Sequence, residues 1–391
     1  MEIAPELFEA SPPRYRDAAL SDILPSALAL LKVPDSTDVL GFSDGPLGDV
    51  RRIAVLLVDG LGYHLLNEAA DSSPTLDAAV GGRLGELREL TTNYPSTTPT
   101  SLASLSVGVP PGQHGLTGFT VNVPGTEQLL THIYWDATGP DPYTWQPLPT
   151  CYERAAAAGV ETTIVQHRAF VEQSLTKAVF RGGRIHPADG LVETAHGVGK
   201  ALRRGDRSLV YCYYGNVDKR GHEYGPGTAP WHAAVANADR LLRLLVEQLP
   251  PDAALLVTAD HGMVDVPDDS RIDIADHPEL REGLRVFAGE PRARYLHTRP
   301  GAGADTLAAW RETLGDRAEV LTRDEAVATG RFGEVRPDHL PRIGDIVVTA
   351  KRDHAVFDSA IDPPGLLALR GMHGGMTAAE MAIPLWSYRP E

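Results

Sequence analysis

The residues best suited to chemistry are acids and histidines that occur beside glycines or at short spacing. The set comprises three carboxylates and three imidazoles: Asp59, Asp218, Asp260, His222, His261 and His373. A single acid after a buried strand is better explained as a cap for the next helix. The prediction of a site therefore depends on the whole group and not on any one residue. Mixed nitrogen and oxygen ligands suit zinc or a similar ion. Six are too many for one tetrahedral catalytic ion, whereas two ions about 4 Å apart would use them all.

The charge of the chain favours bound metal over a polyanionic partner. Lys and Arg number 36 against 52 Asp and Glu, a formal net charge of −16, and no long basic run occurs. This excludes the electrostatic footprint of a nucleic-acid binder. Two divalent ions would nearly neutralise three carboxylates and an ionised hydroxyl, so the site could accept a phosphate anion.

A candidate nucleophile is Thr98, in the segment Tyr94–Leu102. Pro99 suits the first position of a helix, which predicts Thr98 as the N-cap. One interpretation is a plain Thr-Pro helix start. The other is a hydroxyl that sits at the positive end of a helix, has its pKa lowered by a metal, and attacks phosphorus.

Short apolar runs predict the strands that position these groups: Ile53–Val58, Thr163–Val165, Leu209–Tyr214 and Ala254–Thr258, with Ile346–Thr349 as a fifth candidate. Helical periodicity is clearest over Trp231–Gln248. Alternating strands and helices predict an α/β fold, with a mostly parallel sheet flanked by helices on both faces. Three predicted strands end just before an acid of the set, at the edge where such sheets bind ligands.

We expect residues 1–45 to be a lead-in packed on the body. Residues 46–266 and 343–391 should form the catalytic domain, and 267–342 should be an inserted cap-like subdomain without a long apolar strand.

Cys151 and Cys212 are too few and too distant to predict a disulfide framework. No apolar run approaches a membrane span, and the N-terminus lacks the pattern of a signal peptide. We therefore expect a cytoplasmic protein with no membrane partner; the oligomeric state is open.

From about Arg51 to Pro384 the chain resembles the nucleotide pyrophosphatase/phosphodiesterase family of the alkaline phosphatase superfamily. Five motifs of that family recur in the same order and at similar spacing. They are Val58-Asp59-Gly60, Pro95-Ser96-Thr97-Thr98 leading into Gly108–Gly115, Asp218–Pro226, Ala259–Met263 and His373-Gly374. The resemblance implies an alkaline-phosphatase-like fold and two divalent ions, most often zinc, with manganese or cobalt as alternatives.

The resemblance also implies a role for each residue of the set. One metal would be held by Asp218, His222 and His373. The other would be held by Asp59, Asp260, His261 and the Thr98 hydroxyl. Counting back from His114-Gly115 places the nucleophile at Thr98 and not at Thr97.

The chain departs from the family in two places. Pro99 stands where many members carry an aromatic residue that stacks on a nucleobase. Many members also have an asparagine soon after the His-Gly pair, whose amide donates to a non-bridging phosphoryl oxygen. This chain lacks it there, and Asn122 is the candidate donor in its place. Nucleotide specificity and the oxyanion donor are therefore open.

Four further residues have both a functional and a structural interpretation. Tyr134 and Trp135 would either line a leaving-group pocket or pack in the core. Lys219 and Arg220 would either contact phosphate or face solvent.

The predicted function is hydrolysis of a phosphodiester or phosphoanhydride through a threonine-linked intermediate, acting on a small phosphate ester such as a nucleotide. A phosphomonoesterase or a phosphonate hydrolase is the alternative. A phosphoryl transferase or mutase is less favoured, because such relatives use serine as the nucleophile.

Overall fold

A seven-stranded, mostly parallel sheet organises the computed structural model, which describes residues 4–390. Its strand order is β2-β17-β8-β1-β7-β5-β6, in the numbering that follows. The strands are β1 Arg52–Val58, β2 Glu86–Thr91, β3 Thr120–Asn122, β4 Leu129–Thr131, β5 Glu161–Gln166, β6 Arg184–Pro187, β7 Ser208–Tyr214, β8 Ala253–Thr258, β9 Val264–Asp265, β10 Arg271–Asp273, β11 Leu284–Glu290, β12 Ala293–Thr298, β13 Ala318–Thr322, β14 Ile346–Ala350, β15 Ala355–Phe357, β16 Gly371–Met372 and β17 Ala382–Tyr388.

Helices of different lengths connect these strands. They are α1 Ile23–Leu30, α2 Leu66–Ala70, α3 Pro74–Val80, α4 Thr98–Val107, α5 Pro111–His114, α6 Pro142–Trp145, α7 Cys151–Ala157, α8 Ser174–Val179, α9 Leu191–Leu202, α10 Asn216–Tyr224, α11 Ala229–Gln248, α12 Pro278–Arg281, α13 Gly303–Leu314, α14 Arg323–Ala328, α15 Pro364–Leu367 and α16 Ala378–Met381.

The α/β fold predicted from the sequence is confirmed. Four of the predicted strands are β1, β5, β7 and β8 of the main sheet, and all their mutual pairings are parallel. Every residue of β8 is buried, and successive side chains of a strand point to opposite faces, so both faces of the sheet are covered. Strand β17 is the exception in direction, since it runs antiparallel to β2 and β8.

The predicted helix Trp231–Gln248 is confirmed as part of α11. The helix begins two residues earlier, with Pro230 in its first turn, where a missing amide costs nothing. Val235, Ala238, Leu242 and Leu245 are buried, as their spacing predicts.

The fifth candidate strand is confirmed, but it lies outside the main sheet. Ile346–Thr349 falls in β14, which belongs to a separate antiparallel sheet of order β11-β12-β14-β13. The segment 267–342, expected to have no long apolar strand, contains β11, β12 and β13. These strands mix charged and polar residues with apolar ones, so none of them is the continuous apolar run that is typical of a buried parallel strand.

The second sheet packs on both of its faces. Phe287 contributes to a small core with Trp310 and Leu314 of α13, while Val286 and Ala288 join the main core. This alternation follows from the two-residue period of a strand. The second sheet therefore packs directly against the main core.

The division into lead-in, body and insert stays a prediction. The part of the lead-in that includes α1 contributes buried residues to the main core, and β14 lies beyond the predicted insert boundary at residue 342. Cys151 and Cys212 are both buried and free. Among residues 4–390, no helix combines the length and the apolar character needed to cross a bilayer.

Candidate active site

Three adjacent parallel strands deliver the three acids to one edge of the sheet. Strand β1 lies between β7 and β8. Asp59 directly follows β1, Asp260 follows β8 by two residues, and Asp218 lies in the first turn of α10, just after β7. The Asp218 amide donates to the Asp59 carbonyl at 3.0 Å, which fixes the start of α10 against the end of β1.

The first group of side chains consists of Asp218, His222 and His373. Asp218 and His222 are four residues apart on α10 and so share one face of the helix. The Nε2 atoms of His222 and His373 are 3.1 Å apart, and they lie 3.3 and 3.6 Å from Oδ1 of Asp218. The ligand atoms of all three lie within 4.8 Å of one another.

The second group consists of Asp59, Asp260 and His261, all buried. Nε2 of His261 lies 3.4 Å from Oδ1 of Asp59 and 3.5 Å from Oδ2 of Asp260. The His261 and His373 rings stack with their centroids 3.6 Å apart, so the two groups are side by side.

The donor sets fit divalent metal. Bonds of about 2.0–2.2 Å in a tetrahedron place ligand atoms about 3.3–3.6 Å apart, close to the separations in both groups. One oxygen of each acid, Oδ1 of Asp59 and Asp218 and Oδ2 of Asp260, is buried without a hydrogen-bond partner. These are the oxygens that face the histidine Nε2 atoms, so each acid keeps its free oxygen for a cation.

The three histidines are held in the tautomer that a metal requires. Nδ1 of His222 donates to the Gly371 carbonyl at 2.7 Å, and Nδ1 of His373 donates to the Ser96 carbonyl at 2.8 Å. Nδ1 of His261 lies 2.9 Å from the carbonyl of Gly262. With the proton on Nδ1, the lone pair of each Nε2 is free to bind metal.

The electrostatics of the site call for positive charge. Burial raises the pKa of Asp59 well above its ordinary value, and the charges of Asp260 and Asp218 raise it further. Burial also raises the pKa of Asp218. Burial, with the neighbouring His261 and His222, lowers the pKa of His373 well below its ordinary value, which keeps that imidazole neutral. Two cations would stabilise the ionised acids without protonating the histidines.

The two threonines at the start of α4 have different environments. The helix begins at Thr98 and not at Pro99, so the prediction that Thr98 is the N-cap is wrong and Thr97 occupies that position. Thr97 is fully buried, while Thr98 is partly exposed. The Thr98 hydroxyl lies 3.3 Å from Nε2 of His261, at the edge of the second group.

Three of the residues considered for substrate binding, Asn122, Tyr134 and Trp135, differ in contacts and exposure. The Asn122 amide donates to the carbonyls of Thr126 and Gln128 within its own β3–β4 hairpin. Trp135 is 2% exposed and packs against Trp145, whereas Tyr134 is 78% exposed.

The two basic residues between Asp218 and His222 face outward. Arg220 pairs with Glu223, and Lys219 is exposed. Whether either residue contacts phosphate stays a prediction.

Three residues at the site escaped the sequence analysis. The Tyr213 hydroxyl donates to Oδ2 of Asp59, and Ser96 links the nucleophile segment to the loop after His373. Glu290 accepts a hydrogen bond from Thr97. Tyr213 lies one residue before the end of the predicted strand Leu209–Tyr214, where an aromatic residue ordinarily belongs to the core. Ser96 occupies a variable motif position, and nothing in the sequence marks Glu290.

Comparison with known proteins places this geometry in context. The family model described as type I phosphodiesterase/nucleotide pyrophosphatase matches residues 53–376. A phosphopentomutase of Anaeromyxobacter dehalogenans (strain 2CP-C) is 33% identical over 179 residues, and one of Anaeromyxobacter sp. (strain K) is 32% identical over 179 residues. Each match covers 45% of this chain and 42% of the relative, so the chain spans less than half the length of these relatives.

Two solved structures share the fold over most of the chain. An inactive variant of murine ectonucleotide pyrophosphatase/phosphodiesterase 5, in complex with AMP, superposes with a TM-score of 0.70 at 16% identity and covers 87% of this chain and 88% of that chain. Phosphonoacetate hydrolase from Sinorhizobium meliloti 1021, in complex with phosphonoformate, has a TM-score of 0.65 at 24% identity, with coverage of 87% and 90%.

Proposed function

The chain belongs to the type I phosphodiesterase/nucleotide pyrophosphatase family, and on this basis we propose that it is a two-metal hydrolase of phosphodiester or phosphoanhydride bonds. Its nucleophile is Thr98, which forms a covalent phosphoryl or nucleotidyl intermediate that water then hydrolyses. The substrate is a small phosphate ester, with a nucleotide as one candidate.

One observation carries the proposal: a partly exposed hydroxyl stands beside two groups of side chains that are each shaped for a cation. The Thr98 hydroxyl is 3.3 Å from Nε2 of His261, and three carboxylate oxygens of the two groups lack partners. Helix α4 has ten residues and begins at Thr98, so the positive end of its dipole lies at the same place and favours a phosphate anion there.

Each part of the site has a role in this reaction. Asp218, His222 and His373 would hold one ion, and Asp59, Asp260, His261 and Thr98 the other. When bound, the two ions would supply positive charge that lowers the pKa of the threonine hydroxyl and stabilises the negative charge on the phosphoryl oxygens. Thr98 attacks phosphorus, its proton leaves to solvent, and the leaving group departs on the opposite side.

The charge around the site favours a diester over a monoester. The chain surrounds the site with three carboxylates, Lys219 is exposed, and Arg220 is paired with Glu223. A monoanionic diester therefore fits better than a dianionic monoester. Pro99 offers no aromatic face, so we expect weak discrimination among nucleobases.

The test compares kcat/KM of the zinc-loaded enzyme on bis-p-nitrophenyl phosphate, a p-nitrophenyl ester of a nucleotide, p-nitrophenyl phosphate and phosphonoacetate. We expect the two diesters to exceed the monoester by about tenfold or more. Higher kcat/KM on p-nitrophenyl phosphate would make the protein a phosphomonoesterase, and turnover of phosphonoacetate alone would make it a phosphonate hydrolase.

A mutase is the second candidate, favoured by the partial match to phosphopentomutases. Interconversion of pentose 1-phosphate and 5-phosphate without release of inorganic phosphate would support it. Thr98 in place of serine argues against it.

A further inference from the structure

The tip of the β11–β12 hairpin brings a buried carboxyl to the nucleophile segment. Glu290 ends β11 and is paired across the hairpin with Ala293, so its backbone position is fixed by the second sheet. Its side chain is 5% exposed. Oε2 accepts a hydrogen bond of 3.1 Å from the Thr97 hydroxyl.

The same carboxyl lies against the loop that carries His373. A Cβ atom at Gly374 would stand 2.7 Å from Cδ of Glu290, and Gly374 has φ of +116°, so a glycine is needed there on both counts. Ser96 forms a bridge with Gly374 and accepts a hydrogen bond from its amide at 3.0 Å. Glu290 therefore lies between the residue before Thr98 and the residue after His373.

The buried Glu290 carboxyl lowers the stability of the folded protein. Oε1 is buried without a partner, and burial holds the pKa of Glu290 well above its ordinary value. A buried carboxyl with one unpartnered oxygen costs free energy. Unsatisfied buried groups of this kind concentrate at functional sites, where geometry outweighs stability.

We infer that Glu290 is a positioning residue for the nucleophile, and this rests on the proposed role of Thr98. Glu290 holds the Thr97 hydroxyl, and Thr97 is the N-cap of α4. Fixing that residue fixes the direction in which the next side chain, Thr98, leaves the helix. Glu290 itself does not touch the substrate, and its effect is on the attack step.

The test compares Glu290→Ala, Glu290→Gln and Thr97→Val with the zinc-loaded wild type. We expect Glu290→Ala and Thr97→Val each to lower kcat by about ten- to a hundredfold, with KM changed by less than about threefold. Glu290→Gln should recover most of the lost kcat, because an amide oxygen can also accept the Thr97 hydrogen bond. The double variant Thr97→Val/Glu290→Ala should be no slower than the worse single variant, since both remove one contact.

Hydrogen exchange of the Thr97 and Ser101 amides, which donate to the carbonyls of Pro95 and Thr97, provides a readout that needs no activity. It should accelerate by about tenfold in Glu290→Ala and remain near the wild-type rate in Glu290→Gln. Asp239→Ala is the matched control, because it removes a buried carboxyl that bonds Thr75 and Leu76 and none of the six ligands. It should change neither kcat nor the exchange of the Thr97 and Ser101 amides.

The outcomes separate the two claims. If the wild type turns over no phosphate ester while exchange responds as expected, the proposed function fails and the positioning contact stands. If Glu290→Ala matches the wild type in kcat and in exchange, or if Glu290→Gln is as impaired as Glu290→Ala, the inference is overturned while the proposed function remains.

Discussion

Two adjacent threonines at the start of α4 differ in what their hydroxyls can reach. The Thr97 hydroxyl is buried and donates to Glu290, so it is committed to a structural contact. The Thr98 side chain is partly exposed and lies next to His261. This contrast supports Thr98 as the group that attacks phosphorus.

Replacing each threonine by alanine separates these roles. Thr98→Ala should lower kcat by about a thousandfold or more, because it removes the nucleophile, while the six ligands retain their metal. Thr97→Ala should cost about ten- to a hundredfold, since it removes only the contact with Glu290. Steady-state kinetics with metal analysis of each variant provide the measurement, and a larger loss in Thr97→Ala would show that the register is wrong by one residue.

At the scale of elements, the β11–β12 hairpin is joined to the His373 loop by a buried ion pair. Arg292 and Glu380 are fully buried, with Nε and Nη2 of Arg292 at 2.6 and 2.8 Å from the Glu380 carboxylate. That carboxylate also accepts hydrogen bonds from the Gly375 amide and the Thr377 hydroxyl. The pair thus fixes the loop that follows His373.

Removing the arginine should therefore affect both folding and metal binding. Arg292→Met leaves Glu380 as an uncompensated buried charge, which should lower the free energy of unfolding by about 3–5 kcal/mol. It should also weaken binding of one of the two ions, because His373 is then held less firmly. Urea denaturation and zinc titration measure the two effects.

Arg294→Met is the control within the same hairpin. It breaks the buried pair with Asp362, and neither side chain of that pair is hydrogen-bonded to the His373 loop. Stability should fall in this variant too, while the affinity for both ions stays near the wild-type value. Equal zinc affinity in Arg292→Met and the wild type would contradict the link to His373.

At the scale of the whole molecule, a chain of net charge −16 must concentrate positive charge to bind a phosphate ester. The acids gathered at the carboxyl ends of β1, β7 and β8 make the site itself negative. Divalent ions bound there would reverse that sign locally and leave the rest of the surface acidic, which would disfavour a polyanion as substrate.

Metal removal should abolish activity and lower the melting temperature. Chelation leaves three ionisable acids close together, and a ligand that binds only the folded state stabilises it. Zinc, and to a lesser degree manganese or cobalt, should restore both. Elemental analysis should find about two ions per chain in the wild type and about one in Asp218→Asn. Fully active protein with a single ion or none would refute the two-metal assignment.

Much of this candidate site could be predicted because several of its residues lie close to one another in the sequence. Asp218 and His222 are set on one face of α10 by helical spacing, and Asp260 and His261 are adjacent. The parallel strands β1, β7 and β8 follow from their apolar runs, and parallel strands place their carboxyl ends at one edge. Five motifs in order were enough to predict the family and the fold.

Only the tertiary structure decided which residues hold the site in place. Glu290 and Arg292 come from a second sheet whose strands pair with one another and not with the main sheet, so no periodicity near the motifs points to them. The assignment of β14 to that sheet also depends on long-range packing. A sequence pattern reports the spacing of neighbours along the chain, whereas these contacts join residues that are distant in sequence and are chosen by the free energy of the whole fold.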